Sequence, residues 1–208
     1  LLQSITEDKK LEAKAVYGFF KAQSLCEEVK LFENQTSFYF PRQLMDKGNQ
    51  PNFSLADYIS PAGDDHIGLF AVTAGHGIEN IIKEYQVKND DYSEIMAKVL
   101  ADRLAEAAAE WLHKKVRTEY WGYSKDEDLD LNAMLYEKYC GIRPAPGYPA
   151  CPDHKEKDKI WKLLNVEEQI GIGLTESRAM FPAASVCGWY FSHPEARYFS
   201  VLKNEVLQ

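Results

Sequence analysis

The order of its periodic segments is the feature that most restricts the fold of this 208-residue chain. Runs of strands followed by runs of helices favour an α+β fold over regular βαβ alternation. Strand-like stretches, rich in β-branched and aromatic residues, come first and return at the end. They are residues 15–20, 27–33, 36–40, 66–75, 186–191 and 198–202. We therefore expect an α+β fold in which a mostly antiparallel, twisted sheet is flanked by helices.

Helix-like stretches occupy the opening and the middle of the chain. They are residues 1–14, 78–86, 92–117, 131–139 and 154–165. The longest is rich in alanine, leucine and glutamate, which favour helix, and Asp90 or Asp91 can cap it. Asp153 can cap the last helix. The two closing strand-like stretches predict a hairpin joined through residues 192–197.

Composition excludes several classes of function. The formal net charge is −8, which disfavours binding to nucleic acid and to anionic membranes. No apolar run approaches the roughly 20 residues of a membrane span, and no signal peptide is visible. The four cysteines have no framework spacing, so free thiols in the cytoplasm are expected. The length suits one domain spanning 1–208, and the helical opening suggests a fragment of a longer protein.

Three partial motifs give only weak indications of a ligand. The turn at 73–80 has two of the three glycines of a dinucleotide loop, without the surrounding parallel repeat. The acidic run 126–137 has the aspartate spacing of a calcium loop, but Leu131 stands where that loop needs glycine. Cys151 and His154 supply half of a zinc site. We expect a strand-to-helix turn, an acidic capping loop and no metal site.

The loop at 142–157 is the strongest candidate binding element. It holds four of the nine prolines of the chain, so it is stiff and loses little entropy when a ligand binds. Arg143 offers a planar fork suited to a carboxylate or a phosphate, and Gly147 leaves backbone accessible. The alternative interpretation is a rigid connector in which Arg143 forms a surface salt bridge.

A second candidate lies on the long helix. Projected at 3.6 residues per turn, Tyr92, Ile95 and Val99, with Met96, form an apolar stripe. Glu106 continues that stripe, where a core residue is expected. Its carboxylate should either face a cleft or pair with Arg103, because a buried charge needs a partner.

These segments resemble one known family. Arg143, Gly147 and Tyr148 match the Arg-x-x-x-Gly-Tyr signature of the activation domain of cobalamin-dependent methionine synthase. The segments DYSEIMAKVLADRLAEAAAEWLH, RTEYWGY, LTESRAM and VCGWYFSHPEARYF resemble the same family, in order and over essentially the whole chain. The resemblance implies binding of S-adenosylmethionine. Arg143 would hold the methionine carboxylate, and the backbone of Ala145, with Gly147 and Tyr148, would hold the rest.

The resemblance also implies an acidic and an aromatic contribution to the site. Glu106 falls on the acidic residue of the family near the ligand, where it would balance the ammonium or sulfonium charge. The late aromatic pair falls on Tyr198 and Phe199, and Phe199 stands where the family often has tyrosine, so only Tyr198 offers a hydroxyl. A further acidic ligand lies in an N-terminal segment of the family that this chain lacks. We expect a fragment without the N-terminal and C-terminal parts of the family domain.

The implied function is reactivation. The family reduces inactive cob(II)alamin with an electron from flavodoxin or a related flavoprotein and methylates it from S-adenosylmethionine, in a methyltransferase of methionine biosynthesis. Cobalamin would be carried by a neighbouring domain of the same polypeptide, and this chain would align the methyl donor without a catalytic acid or base. The isolated fragment is expected to be inactive. The alternative is a stand-alone module that binds S-adenosylmethionine or docks a flavoprotein without methyl transfer.

Overall fold

A five-stranded antiparallel sheet organises the structure, a computed structural model that describes residues 11–45 and 48–201. Its strand order is β3-β2-β1-β4-β7, and β5 and β6 form a separate two-stranded sheet. The strands are β1 (Glu12–Leu25), β2 (Glu28–Leu31), β3 (Ser37–Tyr39), β4 (Asp65–His76), β5 (Gly173–Leu174), β6 (Met180–Phe181) and β7 (Ser185–Tyr190). The helices are α1 (Ile78–Val87), α2 (Asp91–Lys115), α3 (Leu131–Leu135), α4 (Glu156–Leu164) and α5 (Val166–Ile170). A 3₁₀ turn covers Leu55–Tyr58, and a π turn at Val116–Tyr120 continues α2. The expected α+β fold, with an antiparallel sheet flanked by helices, is confirmed.

Strand β4 is the centre of the core because both of its faces are covered. Leu69 and Ala71 point into a large cluster that includes Phe38 and Trp189. Phe70 lies on the opposite face, in a cluster with residues from the end of α2. A strand buried on both sides reads as a nearly continuous apolar run, as this one does.

Helix α2 packs on β4 and β7 through a row of alanines. Ala97, Ala101, Ala105 and Ala109 recur every fourth residue, and each is at most 1% exposed. The prediction that Tyr92, Ile95, Met96 and Val99 form the core-facing stripe is therefore wrong. Tyr92 is 75% exposed and Ile95 is 59% exposed. The small alanine side chains let the helix approach the sheet closely, and the bulkier residues lie outside that contact.

Several predicted boundaries need correction. Residues 1–10 of the predicted opening helix lie outside the described residues, and residues 12–14 belong to β1. Helix α3 ends at Leu135, because the chain turns through a left-handed backbone at Glu137 (φ 52°). Residues 198–201 form no strand, so the predicted closing hairpin is wrong within the described chain. They run beside the proline-rich loop instead, where the Val201 N–H donates to the Pro149 carbonyl at 2.7 Å.

Two of the expected helix caps have different outcomes. Asp90 caps α2 as predicted, because its Oδ1 accepts from the Ser93 N–H at 3.0 Å. Asp153 accepts from the Lys155 N–H at 2.8 Å, which forms a turn just before α4 rather than a cap on it.

Candidate functional site

An open cavity of about 370 Å³ lies between α2, the proline-rich loop and the segment at 198–200. Six of the seven predicted binding residues line it: Glu106, Arg143, Ala145, Tyr148, Tyr198 and Phe199. They come from three separate parts of the chain, which the fold brings to one place. The volume falls within the roughly 300–1,000 Å³ of small-molecule sites.

The loop is fixed against the end of β7. Ile142 and Phe191 exchange two backbone hydrogen bonds of 3.0 Å, and the Trp189 N–H donates to the Pro144 carbonyl at 3.0 Å. Gly188 permits this approach, because a Cβ there would overlap the same carbonyl oxygen. The prolines thus belong to a loop that is docked on the sheet at its start.

Gly147 is the seventh predicted residue, and it does not line the cavity. Its N–H donates to the Cys151 carbonyl at 2.8 Å, and its backbone is left-handed, with φ 90°. A side chain at Gly147 would overlap the imidazole of His154. The glycine therefore makes room for His154 and a tight turn, whereas the sequence predicts that this space is left for a ligand.

Arg143 is held from several sides. Its backbone N–H donates to the Tyr198 hydroxyl at 3.1 Å. Its Nη2 donates to Glu110 Oε2 at 2.9 Å, and its Nη1 lies 4.0 Å from Glu106 Oε2. Burial lowers the pKa of Arg143, but the hydrogen bond and the charge of Glu110 outweigh it, so the pKa is raised. The guanidinium is a permanent cation, and its Nε is buried without a hydrogen-bond partner in the described chain.

Two acidic side chains, Glu106 and Glu137, line the cavity. The Glu106 side chain is 50% exposed and reaches the cavity from the helix row next to the alanines. Its place follows from the alanine contact of α2 and not from the predicted apolar stripe. Glu137 also lines the cavity, from the turn that ends α3. Sequence reasoning missed Glu137, because the predicted helix 131–139 hid that turn.

The segment at 198–200 supplies three lining residues of the cavity. The Tyr198 hydroxyl accepts from the loop, and burial raises its pKa, so it stays protonated at neutral pH. The Phe199 ring packs against Phe53, with centroids 5.9 Å apart. Gln43 Nε2 donates to the Ser200 carbonyl at 2.7 Å. The segment is thus anchored although it is not a strand.

The partial motifs have structural roles in the described chain. Gly77 forms the turn between β4 and α1, and β4 pairs antiparallel with both of its neighbours. Asp130 of the acidic run caps α3, accepting from the Ala133 N–H at 2.7 Å. Within residues 11–45 and 48–201 no three histidine, cysteine or acidic side chains are grouped as metal ligands. No helix in these ranges combines the length and the apolar character that a bilayer crossing requires.

Comparison with known proteins agrees with the geometry. The sequence model of the family described as vitamin B12 dependent methionine synthase, activation domain, matches residues 1–207. The fold matches the crystal structure of the MetH reactivation domain bound to AdoHcy, with a TM-score of 0.92 and 44% sequence identity. That match covers 96% of this chain and 64% of the other, so this chain spans less than two thirds of its length. The chain belongs to the activation-domain family of vitamin B12-dependent methionine synthases.

Proposed function

We propose that this chain binds S-adenosylmethionine and supplies its methyl group for the reductive methylation of cob(II)alamin, as the reactivation domain of a cobalamin-dependent methionine synthase. One observation carries the proposal. Residues predicted to bind the ligand line a single cavity, and the chain shares its fold and 44% of its sequence with a reactivation domain bound to AdoHcy. AdoHcy is what remains when S-adenosylmethionine has given up its methyl group.

The charges of the cavity suit this ligand. The Arg143 fork would take the methionine carboxylate, as guanidinium groups bind carboxylates strongly. Glu106 would face the ammonium or the sulfonium, and the half-exposed carboxylate costs little to keep charged there. Ala145, Tyr148, Tyr198 and Phe199 would contact the rest of the ligand. Gly147 would act through the shape of the loop.

The chemistry needs alignment rather than proton transfer. A sulfonium is already a good leaving group, so the task of these residues is to hold the methyl in line with an acceptor. The acceptor would be cobalamin on a neighbouring domain of the same polypeptide, reduced by flavodoxin or a related flavoprotein in the cytoplasm. The activity therefore belongs to the assembled methyltransferase of methionine biosynthesis, and this chain alone should be inactive.

Titration calorimetry with S-adenosylmethionine and AdoHcy tests the binding step. Arg143→Ala should weaken both ligands by about 1.5–3 kcal/mol, roughly ten- to a hundredfold in Kd. Arg178→Ala is the matched control, because Arg178 is an arginine paired with Asp158 and does not line the cavity. Equal affinities for wild type and Arg143→Ala would remove the carboxylate role. No binding of either ligand by the wild-type chain would refute the proposed function.

An anaerobic assay tests the transfer step. The chain, S-adenosylmethionine and chemically reduced free cobalamin are mixed, and methylation is followed by absorbance. We expect no rate above the protein-free mixture, because misplacing the reacting atoms by about 1 Å costs a factor of about 100. Adding the cobalamin domain of the same protein should start the reaction. Binding without methylation in that mixture would favour a binding or docking module instead.

A further inference from the structure

A row of alternating charges runs from the cavity into the core: Arg143, Glu110, Arg117 and Glu127. Arg117 is fully buried and the Glu127 side chain is 6% exposed. Arg143 and Glu110 are 18% and 25% exposed, at the cavity end of the row. Buried charges persist only when each has a partner, so the row behaves as one unit.

Arg117 is the immobile member of the row. Its Nε and Nη2 donate to the two oxygens of Glu127 at 2.7 and 2.9 Å. Its guanidinium carbon lies 3.9 Å from the centre of the Tyr139 ring. Its third nitrogen, Nη1, is buried and has no hydrogen-bond partner in the described chain. Arg117 Nη1 therefore faces Glu110 Oε1 without a hydrogen bond to any described residue.

Glu110 lies between two arginines and accepts a hydrogen bond from only one of them. Its Oε2 accepts from Arg143 at 2.9 Å, whereas its Oε1 lies 3.9 Å from Arg117 Nη1. Glu110 Oε1 is also buried without a hydrogen-bond partner among the described residues. A shift of about 1 Å would bring this pair to the roughly 2.9 Å of a charge-assisted hydrogen bond.

We propose that Glu110 is a movable counter-ion of the subsite that binds the ligand carboxylate. When that carboxylate binds Arg143, the Glu110 side chain breaks its own hydrogen bond with Arg143 and forms one with Arg117. The inference rests on the proposed function, in which Arg143 takes the carboxylate of the ligand. Two carboxylates on one guanidinium repel each other, and like charges in a partly buried site are costly. Because Arg117 can serve as its second partner, Glu110 remains paired with a cation after it moves. Glu110 is thus a positioning residue that competes with the ligand and sets its affinity.

The Glu110→Gln variant separates this role from a simple bracing role. Glutamine keeps the shape and an acceptor for Arg143 but loses the competing charge. AdoHcy should then bind about fivefold more tightly, the equivalent of one partly exposed ion pair of about 1 kcal/mol. 5′-Methylthioadenosine carries the same nucleoside and thioether without the amino acid, so its affinity should not change.

Calorimetry with both ligands decides the outcome. Asp102→Asn is the matched control, because it removes the same charge from α2 at a residue that does not line the cavity. Weaker or unchanged AdoHcy binding in Glu110→Gln, an equal change for 5′-methylthioadenosine, or an equal gain in Asp102→Asn overturns the proposal while the proposed function stands. A wild-type chain that binds no AdoHcy overturns both. A crystal structure with AdoHcy should place Glu110 Oε1 within hydrogen-bond distance of Arg117 Nη1, and an unchanged 3.9 Å also overturns the proposal.

Discussion

Gly147→Ala should strain the backbone of the proline-rich loop, although Gly147 does not line the cavity. The backbone there has φ 90°, which an L-residue adopts at a cost of about 1–2 kcal/mol. The new methyl would also overlap the His154 imidazole. His154 is an exposed side chain and can turn away, at about 0.5–1.5 kcal/mol for a distorted rotamer. Together these give roughly 1.5–3.5 kcal/mol.

That free energy should appear either in the melting temperature or in the affinity for AdoHcy. If the strain stays in the folded state, the melting temperature falls by roughly 3–14 °C, at 2–4 °C per kcal/mol for a chain of this size. If the loop rearranges to release it, the native loop becomes a minor conformation. Apparent affinity for AdoHcy then falls by the same free energy, about 30-fold for 2 kcal/mol. Thermal unfolding and calorimetry on one sample distinguish the two.

Two further variants test the reasoning. Gly173→Ala is the matched control, because a Cβ at Gly173 meets nothing closer than the Phe181 carbonyl at 4.0 Å. It should leave both measurements nearly unchanged. Adding His154→Ala to Gly147→Ala should recover only the overlap, about 1 kcal/mol, and leave the backbone strain. A Gly147→Ala chain as stable as wild type and equal in affinity would show that the turn is not strained.

Three further predictions concern stability. Burial lowers the pKa of His113 well below 6.5, so only the unfolded state gains a proton as pH falls, and stability should drop by about 1 kcal/mol between pH 6.5 and 5.5. Denaturant titrations should show that His113→Phe lacks this loss. Ala101→Leu should destabilise the chain by about 1–3 kcal/mol through overpacking, whereas Ile95→Ala, at a 59% exposed position, should change urea midpoints little. Glu127→Gln leaves the fully buried Arg117 short of a counter-charge and should cost about 3 kcal/mol by the same assay.

The sheet was predictable because its strands carry their own signals. β4 reads as an apolar run and β1 as an aromatic one, and each needs only local pattern. The core face of α2 was not predictable in the same way. Hydrophobicity favoured Tyr92 and Ile95 over Ala97 and Ala101, whereas packing against the sheet selected the small residues. The predicted closing hairpin failed because aromatic composition at 198–202 indicates burial as much as it indicates a strand.

The candidate site likewise contains residues that the local sequence predicts and residues that only tertiary contacts place there. Arg143 and its loop stand out in the sequence, because prolines and an arginine in one segment are unusual locally. Glu110 and Glu137 were not predicted as site residues, since a glutamate on a helix is ordinarily a solvated residue. Their place depends on which way α2 faces and on where α3 ends. Both are decided by tertiary contacts rather than by neighbours in sequence.

The alanine row of α2 has a consequence for the width of the cavity. Glu106 and Glu110 each follow a buried alanine by one residue, so they move with the helix as a rigid body. The sheet-to-helix separation is set by four methyl groups, and Arg143 is fixed to the end of the same sheet. We expect a larger residue in the alanine row to widen the gap between carboxylates and guanidinium, and glycine to narrow it. The size of the ligand that the cavity admits should therefore depend on core positions that no ligand touches.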